Sequence, residues 1–179
     1  NKAFSGEMSA EGIDTRIRFR LKEVHYEYDP YFYNNCMFHD RDVTTMFPGD
    51  SRKYISIYTC QHPYILGFAY YPWVWEEGNI RSSIFINPET FPGGNLNKYN
   101  YGTVLVHEIG HYFGLYHTFN RYGRCDESGD DGFSDTPLEA FPSHGCRRNS
   151  DSCPSKEGLD PVWNFMDYSN QDCPERFSQ

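Results

Sequence analysis

The sequence predicts an α+β domain, with strands first, then one long helix, then a loop-rich half. Three observations predict it. Short β-branched and aromatic stretches, several bounded by Gly or Pro, fill the first half up to Pro88. A stretch from Tyr101 or Gly102 to Phe113 has helical spacing, with Leu105, Ile109 and Phe113 on one stripe. After His117, Asp, Gly, Ser and Pro become frequent, and four cysteines are scattered among them. The expected organisation is a single domain over 1–179. Residues 1–117 form an upper lobe of twisted mixed sheet and helix, and 118–179 form a lower lobe, with a cleft between them.

Each element follows from its residues. Asn1 to Ile13 is polar and small, and reads as a helix end followed by a loop. Arg16-Ile17-Arg18-Phe19-Arg20-Leu21 alternates, so it predicts a half-buried strand with Ile17, Phe19 and Leu21 inward. Glu23 to Thr45 is tyrosine-rich with Asp-Pro and Asn-Asn breaks, and predicts an irregular excursion. Lys53 to Cys60 predicts a second strand. Ile65 to Tyr71 predicts a third, closed by Pro72. Gly67 and Ala69 leave the backbone of that third strand accessible, which suits an edge that pairs with a peptide outside the sheet. A barely buried edge strand is the plainer reading. Ser82 to Asn87 predicts a fourth strand, stopped by Pro88, and a Phe-Pro-Gly-Gly turn follows at 91–94. Beyond His117 the only readable segment is Val162 to Tyr168.

The bulk properties narrow the function. At 179 residues the chain is long enough for a proper core. Its formal net charge of −9 argues against a nucleic acid or an anionic membrane as partner, and mildly favours cationic peptides. No apolar run approaches the roughly 20 residues that span a bilayer. No signal peptide is visible, and the chain starts at Asn1 rather than Met, as a processed form does. The six cysteines are Cys36, Cys60, Cys125, Cys146, Cys153 and Cys173. None forms a C-x-x-C pair, so a cysteine-zinc ribbon is not expected. Their even number predicts disulfides and an extracellular, oxidising compartment. Reduced core thiols in a cytosolic peptidase are the alternative, and spacing does not choose among the pairings.

One stretch carries chemistry. His107-Glu108-Ile109-Gly110-His111-Tyr112-Phe113-Gly114-Leu115-Tyr116-His117 reads H-E-x-x-H-x-x-G-x-x-H. On a helix, residues four apart lie on one face, so His107 and His111 can serve one metal ion. Gly114 takes positive φ at low cost and ends the helix, which lets His117 return as the third ligand. Three neutral imidazoles leave the fourth position of a tetrahedral zinc open, the mark of a catalytic site. Glu108 follows the first ligand directly, reaches an adjacent face, and suits proton transfer. The rival reading is a non-catalytic metal-binding module for adhesion or interaction on the same fold. The presence of Glu108 weighs against it.

With these residues the chain resembles the pappalysin family of metzincin zinc metallopeptidases, in particular its ulilysin-like members. The resemblance rests on HEIGHYFGLYHTF from His107, on Ser134-Asp135-Thr136-Pro137, on Gly158-Leu159-Asp160-Pro161 and on Asn164-Phe165-Met166-Asp167-Tyr168. Leu66-Gly67-Phe68-Ala69-Tyr70 and Phe91-Pro92-Gly93-Gly94 also fit, so the match spans most of the chain. It implies a secreted zinc endopeptidase acting on protein or peptide substrates. It places Met166 in a tight turn beneath the zinc, and Tyr168 beside the ion as a donor to the oxyanion. It implies that Gly67, Phe68 and Ala69 bind substrate antiparallel through the backbone. It implies the disulfides Cys125–Cys153 and Cys146–Cys173, with Cys36–Cys60 the pair that remains.

Two finer expectations follow from the same resemblance. Family members carry calcium in the region of Asp126 to Thr136, where carboxylates crowd one loop. A site using Asp131, Asp135 and Thr136, with Asp126 or Asp130, is therefore expected, and a solvated acidic loop is the alternative. Asp172 matches the aspartate behind arginine selectivity, so cleavage is expected N-terminal to Arg, with Lys weaker. A surface aspartate is the plainer reading. Relatives usually begin earlier, with a strand and a helix, and continue into a C-terminal helix, so the chain reads as clipped at both ends.

Overall fold

The structure, a computed structural model, describes residues 1–170 and 172–178. The fold is α+β. The chain divides into two compact units, one of Glu23–Gly114 and one of Asn1–Lys22 with Leu115–Gln179.

The first unit holds the regular structure. Helix α1 spans Pro30–Asn35 and helix α2 spans Asp40–Met46. Both lie in the stretch expected to be irregular, and the correction has a local cause. Asp29, read as part of a break, is an N-cap. Its side chain accepts from the N–H groups of Tyr31 and Phe32, and Pro30 opens the helix, where its missing N–H costs nothing. Asp40 and Asp42 lie in the first turn of α2, where negative charge meets the positive end of the helix dipole. Helices this short show no hydrophobic periodicity, and only α1 has a capping side chain to announce it.

Strands β1 (Ser56–Thr59), β2 (Gly67–Ala69) and β3 (Ser83–Ile86) form one sheet in the order β1-β3-β2. Each lies inside a predicted stretch and is shorter than it. β3 is central, and all four of its residues are buried. It pairs parallel with β1 and antiparallel with β2, with Phe68 opposite Phe85. β2 is therefore an edge strand, as its Gly and Ala suggested. Under the sheet, Cys36, Val43, Cys60 and Phe85 form a core, and Phe32, Met37, Phe47, Tyr58 and Phe68 pack against it. The Cys36–Cys60 disulfide ties the turn after α1 to the end of β1 inside that core.

Helix α3 spans Thr103–Tyr112 and packs on β2 and β3. It starts after Gly102, whose φ of 83° only glycine adopts without strain. Its buried residues are Thr103, Glu108, Ile109, Gly110 and His111. Phe113, expected on the buried stripe, is exposed at 45%. The helix stops one residue before it, so its side chain leaves the apolar face.

The second unit is mostly turns and loops, as predicted. Two isolated bridges, Phe119 with Glu139 and Asn164 with Arg176, are recorded among its described residues. The disulfides Cys125–Cys153 and Cys146–Cys173 staple it. The strand expected at 16–21 is absent. Asn1 captures the backbone there, donating to Phe19 O at 3.0 Å and accepting from Phe19 N–H at 2.6 Å. Arg16 has φ 62°, which breaks an extended run. Phe19 packs edge-on against Phe4, and Phe4 against Phe177, while Leu21 is 78% exposed. Side-chain packing on this unit outcompetes strand pairing.

Candidate functional site

The metal motif is built by one helix and the turn that ends it. His107 and His111 are four apart on α3, and their rings meet at 4.5 Å between centroids, nearly perpendicular. Tyr71 packs its ring against His111 at 5.3 Å. The helix then closes on itself: Phe113 N–H donates to Ile109 O and Gly110 O, and Gly114 N–H donates to His111 O. Gly114 has φ 98°, the left-handed conformation that its place in the motif demanded. A Cβ at that position would also lie 3.1 Å from the Trp73 ring. Within this continuous stretch, His107, His111 and His117 each offer a ligand nitrogen, and these atoms all lie within 4.8 Å of one another.

That donor set fits zinc. Nitrogens around one tetrahedral zinc lie about 3.3 Å apart, given Zn–N bonds of about 2.0 Å. His111 is buried, while His107 and His117 are half-buried, so the set is held by packing on one side and accessible on the other. Among the described residues the cluster holds three imidazoles and no fourth ligand, which suits an open site.

Glu108 is 6% exposed. Burial pushes its carboxyl up to about 8. Its neighbour across the α3–β2 packing is Gly67, where an added Cβ would lie 2.6 Å from Glu108 Cγ and 2.7 Å from Oε1. Gly67 therefore makes room for the carboxylate, a role that its place in the sequence did not show. Phe68 turns from the same strand into the core, against Phe85 and Tyr70, and Ala69 is buried.

On the second unit, Phe119 stacks on His117 at 4.6 Å, and Tyr168 meets both rings edge-on at 4.8 and 4.9 Å. Tyr168 is 43% exposed, so its ring is anchored while part of it faces solvent. Met166 is buried in a turn, and its carbonyl accepts from Thr118 N–H at 3.3 Å. Asp172 is exposed, beside the buried, disulfide-bonded Cys173.

The acidic loop is less concentrated than its composition implied. Asp126 accepts from Ser128, and Asp130 from Gly132 N–H. Asp135 is exposed, and Thr136 is buried with its hydroxyl on Ser178. Asp131 is 8% exposed, and burial raises its carboxyl to about 6, with Asp130 and Asp135 adding to the rise. Among the described residues, the three histidines are the one group of three or more His, Cys, Asp or Glu side chains close enough to share an ion.

Sequence reasoning missed a buried acidic network. Glu139, Asp160 and Asp167 are 0, 6 and 4% exposed. Asp167 sits inside the methionine motif and was quotable from it. A glutamate in a loop carries no mark of burial, so Glu139 had no signal at all.

Residues 38–179 match the peptidase family model M43, described as Pregnancy-associated plasma protein-A. An extracellular metalloprotease of Colletotrichum graminicola is 45% identical over 115 residues, covering 63% of this chain and 40% of its own length. One of Neurospora crassa is 48% identical over 116 residues, with the same coverage. The chain thus spans about two fifths of the length of these curated relatives. Mature mirolysin of Tannerella forsythia, in complex with a cleaved peptide, superposes with a TM-score of 0.71 at 25% identity, over 82% of this chain and 57% of that one. Mirolysin in complex with a compound gives 0.63 at 27% identity, over 72% and 49%.

Proposed function

Because the chain belongs to the Pregnancy-associated plasma protein-A family of M43 peptidases, we propose that it is the catalytic part of a secreted zinc endopeptidase acting on protein or peptide substrates. The observation that carries this reading is the set of three histidine nitrogens within 4.8 Å of one another, next in the chain to a buried glutamate. Secretion is supported by three disulfides and by relatives that are named extracellular.

His107, His111 and His117 hold the ion. Held there, zinc would supply Lewis-acid polarisation of the scissile carbonyl and a lowered pKa for a nearby water. Glu108 takes the proton from the attacking water on a carboxylate oxygen and delivers it to the departing amine nitrogen. Its apolar surroundings favour the protonated form, and a divalent cation nearby favours the carboxylate, so the group is poised to change state. Tyr168 donates its phenolic proton as a hydrogen bond to the carbonyl oxygen as negative charge grows there. The open edge of β2 at Gly67, Phe68 and Ala69 pairs with the substrate backbone, which aligns the scissile bond over Glu108.

Specificity rests with Asp172. Its exposed carboxylate offers a bidentate partner to a guanidinium, so cleavage falls N-terminal to Arg, with Lys weaker. A structural Ca2+ held by Asp131, Asp135 and Thr136, with Asp126 or Asp130, would relieve the buried charge of Asp131.

One experiment tests the assignment: cleavage-site profiling of a peptide library by the zinc-loaded wild type, Glu108→Ala and Asp172→Ala. Wild type cuts before Arg. Glu108→Ala binds zinc with unchanged stoichiometry and cuts nothing. Asp172→Ala cuts without the arginine preference. A folded, zinc-loaded wild type as inert as Glu108→Ala would instead favour the interaction module, and an Asp172→Ala profile identical to wild type would remove the arginine claim.

A further inference from the structure

Behind the third histidine lies a closed chain of hydrogen bonds. Thr118, one residue past His117, is 1% exposed. Its N–H donates to Met166 O at 3.3 Å, and its hydroxyl donates to Glu139 Oε2 at 3.0 Å. The other carboxyl oxygen of Glu139 accepts from the Ser143 hydroxyl at 2.9 Å. Ser143 N–H then donates to Asp167 Oδ1 at 3.1 Å. Asp167 stands between Met166 and Tyr168 in the chain. The backbone of Glu139 joins in as well, since its carbonyl accepts from Asn120 N–H at 2.7 Å and it bridges Phe119, the residue stacked on His117.

This arrangement is costly by design. Glu139 is fully buried, and the charged groups that act on it are Asp167 and Asp160, both acidic. Asp167 Oδ2 is itself buried with no hydrogen-bond partner among the described residues. Burying a carboxyl group costs free energy that its hydrogen bonds must offset. A polar network kept in such a place specifies one arrangement of the groups that it joins. Here those groups are the segment carrying His117 and the turn carrying Met166 and Tyr168.

We propose that Glu139 is a positioning residue for the site: through Thr118 it sets the third histidine, and through Ser143 and Asp167 it sets the tyrosine. It touches neither substrate nor metal. The role deepens the zinc-peptidase reading and rests on it. Partners behind a metal ligand typically change affinity or activity about 10- to 100-fold when removed.

Glu139→Leu separates positioning from packing, because leucine fills the volume but bonds neither hydroxyl. The measurement is zinc affinity by competition with a chromophoric chelator, beside the melting temperature and the kcat and KM of each variant. Glu139→Leu is expected to fold, to bind zinc at least tenfold more weakly, and to lose kcat rather than raise KM. Glu139→Gln, which keeps an acceptor and shape, restores zinc affinity to within threefold. Should Glu139→Leu fail to fold, Thr118→Val removes one link alone and is expected to lose about tenfold in zinc affinity. A folded Glu139→Leu, or in its place a folded Thr118→Val, that binds zinc like wild type overturns the proposal. A wild type that binds zinc but cuts nothing sinks the peptidase reading instead, and leaves the affinity comparison standing.

Discussion

At the scale of single residues, Gly67 and Glu108 form the most exacting pair. A side chain at 67 cannot coexist with Glu108 in its present place, because the added carbon would lie 2.6 Å from Cγ and 2.9 Å from the carboxyl carbon. Gly67 has ordinary strand backbone geometry, so the constraint is space and not conformation. Gly67→Ala should therefore fold and still displace the glutamate. We expect a loss of more than about tenfold in kcat with a stability loss of about 1–3 kcal/mol, the usual range for overpacking a tight contact. Steady-state kinetics and urea unfolding on the same preparation check it. Wild-type kcat in a folded Gly67→Ala would show that Glu108 has room to spare. The residue type was legible from sequence and its reason was not, since alternation along a strand says nothing of which helical side chain lies across from it.

At the scale of elements, α3 was readable and the loop after it only in part. The helix carries its own code: histidines four apart, an apolar residue between them, and a glycine at the stop. The two short helices before the sheet were missed because six or seven residues are too few to show a period. Asp131 is the one buried carboxylate of the acidic loop, and repulsion from Asp130 and Asp135 is an unfavourable contribution that a cation removes. If calcium sits there, removing it with a calcium-selective chelator at constant zinc should lower the melting temperature, and Asp131→Asn should abolish that difference. An unchanged melting curve on calcium removal would leave the loop as a solvated turn.

At the scale of the whole molecule, the buried acids make stability depend on pH. Burial raises Glu139 from 4.5 to about 8 and Asp167 from 3.8 to about 6. The folded chain thus holds protons that the unfolded chain releases. The stability contributed by keeping Glu139 neutral is complete below about 4.5 and is lost as pH rises through about 8. Burial raises Asp167 in the same direction, so its contribution is likewise lost as pH rises, and the two carboxyls titrate together. At fixed zinc, the urea midpoint of wild type should fall between pH 6 and 8.5 relative to that of Glu139→Gln, which has no proton to lose at that position. Parallel pH profiles for the two proteins would mean that Glu139 titrates normally. The division into two units bears on the same point, because residues 1–22 group with the loop-rich half. The strand that alternation predicted at 16–21 was lost to aromatic packing of Phe4, Phe19 and Phe177.

The sequence by itself determined the histidine cluster, the glutamate next to it in the chain, the edge strand and the family. Each is written in spacing along a single element or in a contiguous motif, and local geometry turns such spacing directly into proximity. Only the tertiary structure decided why Gly67 is glycine, where the first 22 residues pack, and that a buried glutamate stands behind the third histidine. Those facts join residues far apart in the chain. Their contacts depend on which surfaces bury one another, a choice made by the whole fold at once and not recorded in any short stretch of it.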